Sequence, residues 1–265
     1  MSITVRAHLH YQAAQPCDLL LQIEALTDPW QRSVNSTLTM RPECTSYLIE
    51  GEDGIGVRRW VKAEQTFVCY YEATFEIDRP QRPMIGLPSA PVSQTPACYT
   101  KYLMPSRYCH PEASVDLLQN QFAGMSGGEL VMAVCGWINK TFSYDIFASN
   151  AGTTATDSLA ARAGVCRDYA HVLIAMARAA GIPARYVSAY APDVHPQDFH
   201  AVAEVYLDGT WLIVDPTGMA KPCDIIRIGV GRDAADVSFM TSYGFVTLVE
   251  QTVEVHRAKA ALVVS

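Results

Sequence analysis

From Ile3 to Tyr11 the chain alternates apolar and polar residues, ITVRAHLHY, which is the two-residue period of a half-buried strand. DLLLQIEAL, SVNSTLTM, TSYLIEGEDGIGVRRWV and TFVCYYEATFEI follow as further short strands, with GEDG a turn inside the fourth segment. No long stretch here has a helical period, so residues 1–80 read as a β-rich domain of sandwich type. After residue 111 the pattern changes. SVDLLQNQFAG and GGELVMAVCGWINKTF carry apolar residues three and four apart, as amphipathic helices do. Thr156 or Asp157 is placed to cap a short helix over 158–163 that Gly164 stops. A second helix is predicted from about Cys166 to Ala180, ended by Gly181 and kept from resuming by Pro183. RYVSAY, FHAVAEVYL, TWLIVD, IIRIGV and a final VTLVEQTVEVHRA then read as strands. Residues 112–265 are therefore expected to form an α+β domain, helices first and mostly antiparallel sheet after.

Between the two patterned regions lies a Pro-rich connector, residues 81–111. Seven of the fifteen prolines fall between Pro80 and Pro111, where neither a helix nor a central strand tolerates them. Within it, CYTKYLMPSRYC supplies aromatic and apolar anchors suited to docking on a neighbouring domain.

Composition narrows the class. With 49% hydrophobic and 18% charged residues the chain has a globular core. The net charge of −7 and the lack of a basic run speak against nucleic acid or an anionic membrane as partner. No apolar run reaches the ~18–20 residues of a membrane span, and the first residues carry no apolar signal core, so a cytoplasmic location is expected. The eight cysteines are scattered and form no C-x-x-C pair. That suits free thiols in a reducing compartment and speaks against a structural zinc site.

One cysteine stands apart. Cys166 follows Gly-Val at the start of the second helix, where free N–H groups and the helix dipole stabilise a thiolate and can later hold an oxyanion. Burial as a core thiol is the simpler role for a lone cysteine. A second feature bears on the choice. In FHAVAEVYLDGTWLIVDPT, Asp208-Gly209 marks a two-residue hairpin turn. Pairing Leu207 with Thr210 then sets Asp215 diagonally from His200 on one face at the open end of the hairpin, with Cβ atoms roughly 5–8 Å apart. A carboxylate there fixes the tautomer of the imidazole and frees its other nitrogen for a proton. Cys166, His200 and Asp215 can thus compose a Cys–His–Asp triad.

The segments GVCRDYAH, GIPARYVSAY and DFHAVAEVYLDGTWLIVDPT, with their order Cys, His, Asp, resemble the bacterial transglutaminase-like family, whose members are described as cysteine proteases. The resemblance is closest from Trp137 to Gly218. It extends to GVGRDAADVSF, to YLMPSRYC at the domain junction, and to the β-rich first hundred residues. It implies a papain-like α+β core behind an N-terminal sandwich-like region, with Cys166 as nucleophile, His200 as base and Asp215 as orienting acid. No cofactor or metal is implied, and the substrate would be a peptide or protein. Asp168 and His171 match the family motif and are given structural roles, capping or fixing the loop before the cysteine. Trp137 and Tyr144 are candidates for an oxyanion donor or a tunnel wall, with core packing the simpler role. Arg185 is expected in a buried ion pair or strand-edge contact. Cys135 and Cys223 are the other thiols to locate relative to the site.

The expected chemistry is acyl transfer through a thioester, ending in hydrolysis of a peptide or other amide bond. Transfer of a glutamine acyl group to an amine is the alternative. A binding module that has lost activity, and a metalloprotein ligated by Cys166, His200 and Asp215, are rivals from other classes. The intact residues speak against the first, and the lack of a fourth ligand against the second. Association of copies through the N-terminal domain is also open.

Overall fold

The computed structural model describes residues 1–258. The first domain is built on β1 (Ser2–Ala13), β2 (Cys17–Leu21), β3 (Gln31–Arg41), β4 (Ser46–Glu50), β5 (Val57–Ala63) and β6 (Thr66–Ile77). The alternation seen in the sequence decides the inner face. Ile3, Val5, Leu9, Phe67, Cys69, Tyr71, Ala73 and Phe75 are almost wholly buried. The antiparallel register sets Ile3 opposite Phe75, Val5 opposite Ala73 and Ala7 opposite Tyr71, so both strands turn the same face inward. Leu19, Leu21, Val61 and Ala63 close the core from β2 and β5.

Sheet membership departs from the expected boundaries at 80 and 112. The last strands, β13 (Met240–Ser242) and β14 (Val246–Arg257), do not join the sheet of the second domain. β13 pairs with β2, and β14 pairs with β1, giving four-stranded sheets of order β13-β2-β5-β4 and β14-β1-β6-β3. Alternation in VTLVEQTVEVHR identifies a strand but says nothing about which edge it covers. Val253 and Val255 complete the sandwich core against Ala7 and Val5. The last seven residues of the expected 112–265 domain lie outside the described residues.

The Pro-rich segment runs over both halves in extended chain and short 3-10 turns at Val92–Gln94 and Ala97–Tyr102. Tyr102 is fully buried and donates to Asp53 Oδ2 at 2.5 Å. Tyr99 and Tyr102 set their rings against Trp211, with centroids 5.1 and 5.3 Å away.

In the second half, α1 (Val115–Gln121) and α2 (Gly127–Thr141) precede β7 (Ser143–Tyr144), α3 (Ala155–Ala161) and β8 (Ala163–Gly164). Then come α4 (Cys166–Ala179), β9 (Ala184–Tyr190), β10 (His200–Leu207), β11 (Thr210–Val214) and β12 (Ile226–Gly231). The short α3 is displaced from its expected span. Thr154 is its cap, with Asp157 reaching back to the Thr154 N–H, and Arg162 ends it in a left-handed conformation. Gly164 instead serves β8. α4 packs on an antiparallel sheet of order β11-β10-β9-β12. From Tyr169 to Arg178 every residue of α4 is buried, which requires the apolar run VLIAMA and explains why this helix is central.

Candidate active site

Cys166 is the first residue of α4. The Asp168 carboxylate accepts from the Val165 N–H at 2.9 Å, and this reach-back fixes the turn that presents the thiol. Gly164 makes room for it, since a Cβ there would stand 2.7 Å from both Cβ and Oδ2 of Asp168. Arg167 ties the same carboxylate to the facing loop through Ser149 Oγ and the Asn150 carbonyl. His171 is buried and neutral. Desolvation, then the charges of Arg167 and Arg178, push its pKa well below the ordinary value. Its Nε2 accepts from the Ala234 N–H at 3.2 Å, and its ring lies against Tyr108.

The hairpin has the register read from Asp-Gly. Leu207 faces Thr210 and Ala203 faces Val214, with Asp208 and Gly209 both at positive φ. His200 opens β10 and Asp215 follows β11, and His200 Nε2 stands 2.9 Å from Asp215 Oδ2. Both side chains are almost fully buried. Asp215 also accepts from the N–H and hydroxyl of Thr217, at 2.9 and 2.7 Å, and from the Ala220 N–H at 2.8 Å. Burial opposes its charge. The bond and charge of His200 and the bonds from Thr217 and Ala220 prevail and hold the carboxyl below its ordinary range. His200 Nδ1 is buried with no hydrogen-bond partner among the described residues, and besides Asp215 the group that acts on the ring is the Cys166 thiol, which lines the same cavity. Burial alone would lower the His200 pKa. The hydrogen bonds and charges of Asp215 and Cys166 outweigh it and raise the imidazole to about 10.

Of the two aromatic candidates, the structure brings only Tyr144 to the cysteine. Parallel pairing of β7 and β8 sets Tyr144 opposite Gly164, and Asp145 N–H donates to the Gly164 carbonyl at 3.0 Å. Desolvation and then the charge of Cys166 push the Tyr144 phenol up. Trp137 packs against Phe122 and Phe142, under the Arg162 guanidinium 4.3 Å from its ring. Arg185 forms the expected buried pair, 2.7 Å from Glu204, and lies over Trp211. Cys135 Sγ lies 3.6 Å from the Asp215 carbonyl oxygen, and Cys223 sits beside Asp224. Burial pushes Cys69, Cys109 and Cys135 up to about 12.

Sequence reasoning did not name the residues that hold Asp215. The signal was present in DPTG, where an Asp two residues before Thr217 closes an Asx turn on its own backbone. Nor did it find the cavity of about 490 Å³ onto which Cys166 and His200 open, because its walls come from distant segments that include Ile146, Phe199 and Phe239.

Comparison with known proteins bears on the family and the fold. Residues 118–216 match the family model of the transglutaminase-like superfamily. A solved structure from Cytophaga hutchinsonii, described as a "Putative Cysteine Protease", is 31% identical, superposes with a TM-score of 0.89, and matches over 97% of this chain and 90% of that one. Among curated proteins, an uncharacterized protein of Mycobacterium leprae is 32% identical over 120 residues, 41% of this chain and 42% of its own length. One of Mycobacterium tuberculosis is 35% identical over 124 residues, 41% of this chain and 40% of its own length. The match thus spans about two-fifths of these curated relatives. This chain belongs to the transglutaminase-like superfamily, and its architecture is the α+β core of that family with an N-terminal sandwich. The family and the Cytophaga neighbour support thiol-based catalysis in general.

Proposed function

We propose that this protein is a thiol acyl-transfer enzyme that hydrolyses peptide or other amide bonds through a thioester on Cys166. One observation carries the reading. His200 is bound through Nε2 to Asp215, which leaves Nδ1 to the Cys166 thiol at the start of α4. In the reaction the sulfur, its proton held on His200 Nδ1, attacks the amide carbonyl carbon. The developing oxyanion is met by the Cys166 N–H and the Tyr144 hydroxyl. Collapse breaks the C–N bond, His200 returns the proton to the departing amine, and a thioester remains. Water then gives its proton to His200 as it attacks the thioester, and the acid leaves as the thiol is restored. Asp215 stays ionised throughout and holds the imidazole in its tautomer. Hydrolysis is favoured over amine transfer because water needs no dedicated site.

The test is acyl trapping. Mixed with an activated ester, the wild-type protein carries the acyl group on Cys166 by peptide mapping, hydroxylamine removes it, and Cys166→Ala gives no adduct. Turnover with and without a primary amine then separates hydrolysis from transfer. A Cys166→Ala protein as active as the wild type would end the reading.

A further inference from the structure

The cavity beside Cys166 has a chemical character that the triad does not explain. On one side stand two parallel rings, Phe199 and Phe239, with centroids 4.6 Å apart and planes within 1°. Tyr190 backs Phe199 at 5.3 Å. Val237 and Met240 extend the same wall, and Ile146 faces into the cavity from the opposite loop. Phe199 and Phe239 are only half-buried, each resting on the sandwich core and leaving part of its surface to the cavity. Ile146 is 60% exposed, and its neighbour Phe147 is 90% exposed. Apolar surface left open at a catalytic lip gains most when another apolar group covers it.

The charges point the same way. Besides His200, the charged side chain lining the cavity is Arg167. Its guanidinium is already engaged by Asp168, Ser149 and the Asn150 carbonyl. A charged substrate side chain would lose its water in this cavity and meet no free counter-charge among the lining residues. The polar lining, Ser149, Asn150 and Ser188, suits the amides of a peptide backbone rather than an ionised group.

We infer that this cavity selects peptides carrying a large apolar side chain, aromatic first, at the first or second residue on the acyl side of the reacting amide. The Phe199–Phe239 wall is the selecting element. The inference rests on the thioester reading above. It also gives the sandwich a part in recognition, since Phe239 immediately precedes β13, whose pairing with β2 fixes this wall.

The test uses the full chain and peptide chloromethyl ketones bearing Phe, Ala, Glu or Lys at the first or the second position, with iodoacetamide as a reagent that needs no pocket. The expected result is alkylation of Cys166 by the Phe compound at one of the two positions about tenfold or more faster than by Ala, with Glu and Lys slowest. Phe239→Ala narrows the Phe-to-Ala ratio. Because that change removes packing, Ile146→Asp is the second variant. It lies at the exposed lip and should shift the ratio from Phe toward Lys by several-fold. Iodoacetamide labelling of Cys166 together with equal rates for Phe, Ala and Glu at both positions overturns the inference and leaves the thioester reading standing. Failure of every reagent at Cys166 overturns both.

Discussion

At the scale of single residues, the protonation of one imidazole dominates. His200 is raised from its ordinary 6.5 to about 10, so it stays an imidazolium through neutral pH. A group raised on folding stabilises the fold fully below its unfolded pKa and loses that effect as pH climbs through the folded one. The stability advantage of wild type over His200→Gln should be largest between about pH 4 and 6.5 and should fade toward pH 10. Asp215 works in the opposite direction. Held below its ordinary range, it contributes above about pH 4 and loses that contribution as pH falls through its folded value. Thermal melts across about pH 2 to 10 check both signs, and an advantage of wild type over His200→Gln that grows toward pH 10 contradicts the assignment. Asp215→Asn keeps the shape but loses the anion. It should lower Cys166 acylation by about 10²- to 10⁴-fold, measured by the acyl-trapping rate, whereas Cys166→Ala removes acylation altogether.

At the scale of elements, the site depends on two tight features, the turn before α4 and the β10–β11 hairpin. The approach of Gly164 to the Asp168 side chain leaves no space for a methyl group. Gly164→Ala must move either Asp168 or the cysteine turn. We expect a loss of about 1–3 kcal/mol by denaturant unfolding and a slower acylation at Cys166. Unchanged values for both would show that the turn is not set by this contact. The hairpin was legible in the sequence because Asp208-Gly209 fixes register by local chemistry, and register alone brings His200 to Asp215. The Cys166 helix was legible for a similar reason, with Gly181 as its stop. The start of α3 was misplaced by sequence because TTATDS offers several competing caps. The choice of Thr154 follows from the reciprocal bonds between Thr154 and Asp157 and from the Ala155 N–H, which donates to the Tyr108 carbonyl in the connector.

At the scale of the whole molecule, the two halves share their last strand and their active cavity, which no local pattern in the sequence could disclose. β14 completes the sandwich and also grips the loop that leads into His200. Gln197 Nε2 donates to the Val255 carbonyl and Val255 N–H donates to Gln197 Oε1, each at 2.9 Å. Gln251 donates to Asp198 at 2.6 Å, and Arg257 pairs with Asp193. Gln197→Ala should therefore slow Cys166 acylation by about ten- to a hundredfold with both halves still folded, seen as a normal circular-dichroism spectrum beside a reduced trapping rate. An unaltered rate would mean that the His200 approach is held without β14. Whether Cys166 and His200 form an activated pair is decided by limiting iodoacetamide across pH 5 to 9 with peptide mapping. Cys98 is an exposed thiol outside the site and serves as the comparison. Cys166 is expected to be alkylated first, at a rate that persists at pH 6, where an ordinary thiol is almost wholly protonated. If Cys166 reacts no faster than Cys98 and loses its rate below neutrality, the pair is not activated and Cys166 is not a catalytic nucleophile.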